Sequence, residues 1–200
     1  MQCLPETVAP NTLTVLGLLC TVVPFIVLLS ISGASLNSEI PSWFLYVHAF
    51  TYLVYRMLDE MDGKQARRTG NSSPLGLLFD HGCDCFAIGL QNIMLSKEVC
   101  VGENPISMVS LITAYMCFHF CTLEEYYLGT LKLPMFNGVS DGSLPVIVLL
   151  IFTGAIGNTW WAEDACDGTW LGIPSITTLN KGQLASMCVT FLVTAATVMR

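Results

Sequence analysis

Four aspartates raise the first chemical question in this sequence. Asp59-Glu60-Met61-Asp62-Gly63-Lys64-Gln65-Ala66-Arg67 is followed by eight residues, Gly76, three residues, Asp80, three residues and Asp84. Asp59 and Asp62 are spaced i, i+3, and Asp80 and Asp84 i, i+4, so each pair shares one face of a helix. Two such helices facing each other gather four carboxylates, which cannot all ionise in a low-dielectric setting without a counter-charge. A divalent cation supplies it. Oxygen donors without paired His or Cys call for a hard ion, Mg²⁺ or Mn²⁺, and four carboxylates suffice to bridge two. Two ions roughly 3.5–4 Å apart are the clamp used for in-line displacement at phosphorus. The small residues agree: Gly63, Ala66 and Gly76 leave room for a flat or bulky group near the helix backbone, and Arg67 offers a planar fork for phosphate. Lys64 and Arg68 add positive charge at the mouth.

The elements that position these residues belong in a bilayer. The 200 residues are 53% hydrophobic and 12% charged, with a mean hydropathy of +0.62, more apolar surface than one soluble core hides. Six windows are long and apolar enough to span, at about 12–33, 41–61, 75–96, 104–122, 144–160 and 183–199. The first and fourth are the clearest, the fifth and sixth are short, and the second and third carry the acids and would fail a strict hydropathy cutoff. The net charge of −7 includes the four aspartates, and acids inside spans require a cation. Eight Lys and Arg without an interleaved aromatic patch exclude a nucleic-acid partner. Lys64, Arg67 and Arg68, with Arg56 nearby, read as a polar loop between spans two and three, and basic loops face the cytoplasm. Alternation then puts 1–11 and 123–143 on that side, and 34–40, 97–103 and 161–182, with Glu98 among their acids, on the lumenal side. The first span lacks a basic leader and is expected to be retained. Pro74, Pro105 and Pro145 stand near helix starts, and Pro24 inside span one reads as a kink.

The acidic run resembles the CDP-alcohol phosphotransferase signature D-x-x-D-G-x-x-A-R-x8-G-x-x-x-D-x-x-x-D at every fixed position. Ala9-Pro10-Asn11-Thr12-Leu13-Thr14, Lys64 to Thr69, Pro74-Leu75-Gly76 and Phe79 to Asp84 resemble the eukaryotic choline/ethanolamine phosphotransferases, as do Glu124-Glu125-Tyr126-Tyr127 and Gly129-Thr130-Leu131. The resemblance covers roughly residues 8–143. It implies an all-α integral membrane fold with a six-transmembrane-helix catalytic core, taken here as one domain over residues 1–200, multi-pass in the endoplasmic reticulum or Golgi with its site facing the cytoplasm. It also implies that CDP-choline or CDP-ethanolamine gives its phosphoalcohol to diacylglycerol, with release of CMP. Asp59, Asp62, Asp80 and Asp84 become the ligands of two ions, Mg²⁺ or Mn²⁺; Gly63, Ala66 and Arg67 contact the diphosphate, and Asn11 reaches it from the first helix. Such relatives carry about ten spans and an amphipathic segment ahead of the first, so the chain reads as a truncated form. Leu77 stands where they usually carry Glu.

The base has two candidates. Asp84 is often given the role in the wider family, but a carboxylate on a metal is a poor proton acceptor. His81 lies directly after Asp80 and three residues before Asp84, with an ordinary pKa suited to neutral pH, and is preferred. Glu124 and Glu125, beside Tyr126 and Tyr127, read either as a cradle for a cationic headgroup or as an interfacial belt. His48 and His119 sit in apolar spans without acidic neighbours and read as packing or hydrogen-bonded residues. Of the nine cysteines, Cys20, Cys83, Cys85, Cys117, Cys121 and Cys188 read as small apolar residues. Cys83-x-Cys85 is a poor ligand pair among hard carboxylates, whereas Cys100 and Cys166, in loops on one side, could pair. Two other readings compete: a cation transporter built on intramembrane carboxylates, and a catalytically silent membrane paralogue. Oligomeric state stays open, a homodimer included.

Overall fold

The computed structural model describes residues 4–129, 143–171 and 178–198, and the structural statements below concern those residues. Residues 130–142, with Thr130 and Leu131, and Arg200 lie outside them, while 123–128 of the expected 123–143 connection belong to a helix. Six helices are present: α1 Pro10–Ser32, α2 Ser42–Thr69, α3 Pro74–Glu98, α4 Pro105–Leu128, α5 Ser143–Ile156 and α6 Lys181–Val198. Proline opens α1, α3 and α4, where its missing N–H would lack a helical partner anyway. The Ser73 hydroxyl accepts from the Gly76 N–H at 3.0 Å, and Asn104 Oδ1 accepts from the Ile106 N–H at 2.8 Å, capping α3 and α4. Pro24 is carried inside α1, which continues past it.

α1 packs against both α2 and α3, α5 closes against α2, and α4 packs against both α3 and α6. A buried cluster of Leu28, Phe44, Leu45, Ala49, Met94 and Leu150 joins α1, α2, α3 and α5. A second one, with Val99, Val101, Ile106, Trp161 and Leu179, seals the end of the bundle where α3 turns into α4. Outward faces are apolar as well: Leu19, Val23 and Ile26 on α1, Phe50 on α2, Phe86 on α3 and Ile112 on α4 are exposed. A soluble domain rarely leaves so much apolar surface uncovered. α1 and α4 are long and apolar enough to cross a bilayer. α2 and α3, which carry the acids, do not pass the same test. α5, with 14 residues, is only about 21 Å long.

Several sequence expectations change. α2 runs on to Thr69, so Lys64, Arg67 and Arg68 lie on a helix instead of a polar loop. Lys, Gln, Ala and Arg are good helix formers, and Gly70, at φ 68°, provides the left-handed stop. α5 stops at Ile156, before the expected end of its span, and a 3₁₀ turn at Asn158–Ala162 follows. Within 161–182 lies a small antiparallel pair, β1 Asp164–Asp167 with β2 Thr178–Asn180, in which Cys166 faces Leu179. Cys100 and Cys166 are both free thiols. The Cys100 Sγ is buried and donates to the Asn158 carbonyl at 3.4 Å, while Cys166 is exposed on β1, which rules out the expected pairing. His48 does have an acidic neighbour, because Glu98 belongs to the end of α3 and is fully buried against it, 2.6 Å from Nδ1.

Candidate active site

The acidic segments end up where sequence spacing puts them, on facing stretches of α2 and α3. Asp59, Asp80 and Asp84 each offer an oxygen within 4.8 Å of the other two. Asp62, the most buried of the four at 4% exposure, lies within hydrogen-bonding reach of Asp80 without joining that trio. Asp59 and Asp84 are within similar reach of each other. Neighbouring side chains hold three of the four: Thr14 Oγ1 donates to Asp62 at 2.6 Å, the Tyr55 hydroxyl to Asp84 at 2.9 Å, and Arg56 to Asp59 at 2.7 Å. Asp80 Oδ1 is buried and has no partner among the described residues. Close carboxylates with one buried oxygen unanswered fit a hard divalent cation, and the donor set is all oxygen. Cys83 joins Asp59 and Asp84 around a recess of only about 10 Å³, a soft neighbour to hard ligands.

Next to the acids opens a cavity of about 550 Å³, an ordinary size for a small-molecule site. Its walls include Asn11 and Thr14 from α1, Asp62, Gly63, Ala66 and Arg67 from α2, and Gly76 and Asp80 from α3. The extension of α2 beyond its apolar stretch accounts for this, since Asp62, Gly63, Ala66 and Arg67 fall one turn apart on a continuous helix. Space is tight at Gly76: a Cβ there would sit 3.2 Å from Ser73 Oγ and 3.7 Å from Asn11 Oδ1. Leu77 also lines the cavity.

Other predicted site residues lie elsewhere. Lys64 points away and pairs with Glu60 at 3.2 Å. Arg68 is turned to the N-terminal segment, donating to the Leu4 carbonyl at 2.9 Å and pairing with Glu6 at 3.2 Å. His81 is beside Asp80 but off the cavity wall; its Nε2 is 3.4 Å from Glu125 Oε2, and its ring meets the edge of Phe118. Glu125 therefore faces His81, whereas Tyr126 and Tyr127 are highly exposed. Sequence reading missed Thr14, Tyr55 and Gln65. Thr14 is one turn beyond Asn11 and Tyr55 one turn before Asp59, but their bonds to Asp62 and Asp84 cross between helices. Gln65 anchors the N-terminal segment by donating to the carbonyls of Pro5 and Val8 at 3.0 and 3.2 Å.

Acids set among apolar helices thus open onto a cleft that also carries an arginine and small residues. The profile of the CDP-alcohol phosphatidyltransferase family matches residues 7–153, and the chain belongs to that family. It is 36% identical over 177 residues to CDP-alcohol phosphatidyltransferase class-I family protein 3 of Dictyostelium discoideum, covering 88% of this chain and 44% of the relative. Choline/ethanolaminephosphotransferase 1 of Arabidopsis thaliana is 34% identical over 164 residues, covering 80% of this chain and 40% of its own length. Cholinephosphotransferase 1 of Danio rerio is 35% identical over 164 residues, covering 80% and 42%. The chain thus spans less than half the length of these relatives.

Proposed function

We propose that this protein transfers phosphocholine or phosphoethanolamine from its CDP ester to diacylglycerol and releases CMP. The observation that carries the reading is the single cavity joining Asn11, Gly63, Ala66, Arg67 and Gly76 to Asp62 and Asp80. A nucleotide diphosphate needs a cationic fork, room for a flat base and proximity to the metal ligands, and that wall offers all three. A cation transporter has no use for the first two. The names of the Arabidopsis and Danio relatives favour the same donors.

Asp59, Asp80 and Asp84, with Asp62 beside Asp80, would hold two Mg²⁺ or Mn²⁺ ions. When bound, these ions neutralise the diphosphate and stabilise the entering and leaving oxygens. Arg67 binds the diphosphate at the open end and orients the donor. Glu125 Oε2, 3.4 Å from His81 Nε2, favours the proton on that nitrogen, so that Nδ1 keeps the lone pair and takes the proton of the diacylglycerol hydroxyl. The hydroxyl oxygen forms its bond to the phosphorus bearing the alcohol, the bond from that phosphorus to the CMP oxygen breaks, and CMP departs with the electron pair. The acceptor is a lipid, and the apolar outer faces of the helices suit entry from the bilayer. The chain is multi-pass on this reading, in the endoplasmic reticulum or Golgi, with residues 1–200 acting as one catalytic unit whose site faces the cytoplasm.

The test is metal-dependent CMP release from CDP-choline and from CDP-ethanolamine, with and without diacylglycerol. Release that requires both the lipid and Mg²⁺ or Mn²⁺ is expected with at least one donor. No release from either donor would remove the proposal.

A further inference from the structure

We propose that Tyr55 is a positioning residue that holds Asp84 in its metal-binding orientation. The inference rests on the divalent-ion reading given above and adds a residue outside the acidic signature. Tyr55 lies on α2 one turn before Asp59, and its hydroxyl crosses to α3 to donate to Asp84 Oδ1 at 2.9 Å. Geometry restricts the phenol to that partner. The residue is 8% exposed, its ring lies near that of Tyr52 with centroids 6.1 Å apart and planes 21° from parallel, and Gly17 of α1 is beside it, where a Cβ would sit 3.5 Å from Tyr55 Cδ2. Burial among these neighbours keeps the hydroxyl on Asp84.

Metal-binding carboxylates depend on such outer partners. A carboxylate that is free to rotate spends part of its time with its oxygens misdirected, and loss of an outer-shell hydrogen bond typically costs 10–100-fold in metal affinity or activity. The recess shared by Tyr55, Asp59, Cys83 and Asp84 is about 10 Å³, at the lower limit for one water. Removing the hydroxyl therefore leaves Asp84 Oδ1 with little to replace its donor. Tyr52 serves as the internal control: it sits on the same helix and in the same stack, and its hydroxyl is bonded to none of the four aspartates among the described residues.

The experiment is Tyr55→Phe in the full chain, which keeps the ring and removes one oxygen, with Tyr52→Phe beside it. Mn²⁺ binding to the purified protein without nucleotide is followed by electron paramagnetic resonance, and the Mg²⁺ dependence of transfer is measured separately. Tyr55→Phe is expected to weaken Mn²⁺ binding about 10–100-fold, and to raise the Mg²⁺ requirement while turnover at saturating Mg²⁺ stays close to wild type. Tyr52→Phe should leave both unchanged. If Tyr55→Phe also lowers the melting temperature, excess Mg²⁺ separates the causes, since added ion restores turnover to a misaligned site and not to a misfolded chain. Wild-type Mn²⁺ affinity in Tyr55→Phe overturns the role of Tyr55 and leaves the divalent-ion reading standing. Absence of Mn²⁺ binding by the wild type overturns both.

Discussion

The two ends of the α1–α2–α3 bundle each bury charged side chains, and they treat them in opposite ways. At the far end, His48 lies between Glu98 at 2.6 Å and Gln91 at 2.7 Å, and Gln91 in turn donates to Thr21 at 3.2 Å. Lys97 Nζ donates to the carbonyls of Ser32, Gly33 and Ser35 at 3.3, 2.6 and 2.7 Å, capping the C-terminus of α1. Among the described residues there, the buried Glu98 Oε2 lacks a partner. Packing is also tight at that end: a Cβ on Gly182 would collide with the Val99 carbonyl. At the catalytic end four acids converge, Arg56 answers one of them, and an open cavity lies alongside. Charge that serves the fold is matched by side chains and carbonyls of the fold, whereas charge that serves chemistry is left for a ligand to match.

That contrast makes the same kind of substitution act oppositely at the two ends. Asp80→Asn should abolish transfer, because at the proposed catalytic end Asp80 carries the buried acidic oxygen that has no partner among the described residues. It should also raise the melting temperature of the metal-free protein by removing one of several crowded carboxylates. Calorimetry with chelator, set beside the CMP-release assay, checks both halves, and a fall in melting temperature would break the comparison. Next in size, His81→Ala should lower turnover by about 10²–10⁴, the range for a positioned base, with Mn²⁺ binding retained. Near-normal turnover between pH 6 and 9 would return the role to Asp84.

At the far end Glu98→Ala should destabilise the protein by about 3–5 kcal/mol, the usual cost of stranding one partner of a buried pair. Replacing both partners, as His48→Phe with Glu98→Leu, should recover most of that loss, since a well-packed apolar pair avoids the desolvation cost. The residual folded population should still bind Mn²⁺. Unfolding monitored in detergent at fixed micelle composition measures both terms.

The residues proposed to hold metal and nucleotide were legible in the sequence because their chemistry fixes both type and spacing: Asp59, Asp62, Gly63, Ala66, Arg67, Gly76, Asp80 and Asp84 are separated by near-whole turns of two helices. α1 and α4 were legible from hydropathy alone. The end of α2 was misjudged because Lys64, Arg67 and Arg68 suggested a solvated loop, although their intrinsic preference is helical. Thr14, Tyr55 and the pairing of His48 with Glu98 depend on which helix faces which, across 48, 29 and 50 residues of sequence, and no local pattern encodes that. The pairing of β1 with β2 had no signal either, for strands of four and three residues are too short to show alternation.

The smallest perturbation uses the two cysteines that do not pair. Cys100 sits at the closed end, 3% exposed, in the connection between α3 and α4. Burial pushes its thiol above the ordinary range, and the hydrogen bond with Asn158 only partly offsets that. Thiolate is the reactive form, so both access and protonation protect Cys100. Cys166 is exposed on β1 at the same end of the bundle. In a variant retaining only these two cysteines, a membrane-impermeant maleimide should label Cys166 within minutes and leave Cys100 untouched until denaturant is added, with no loss of transfer. Intact sealed vesicles add the orientation. If the catalytic end faces the cytoplasm, Cys166 is labelled only after the vesicles are opened, or directly when they are inverted. Rapid labelling of Cys100 in the folded protein would show that the far end is as open as the catalytic end, and the contrast between the two would then rest on charge pairing alone.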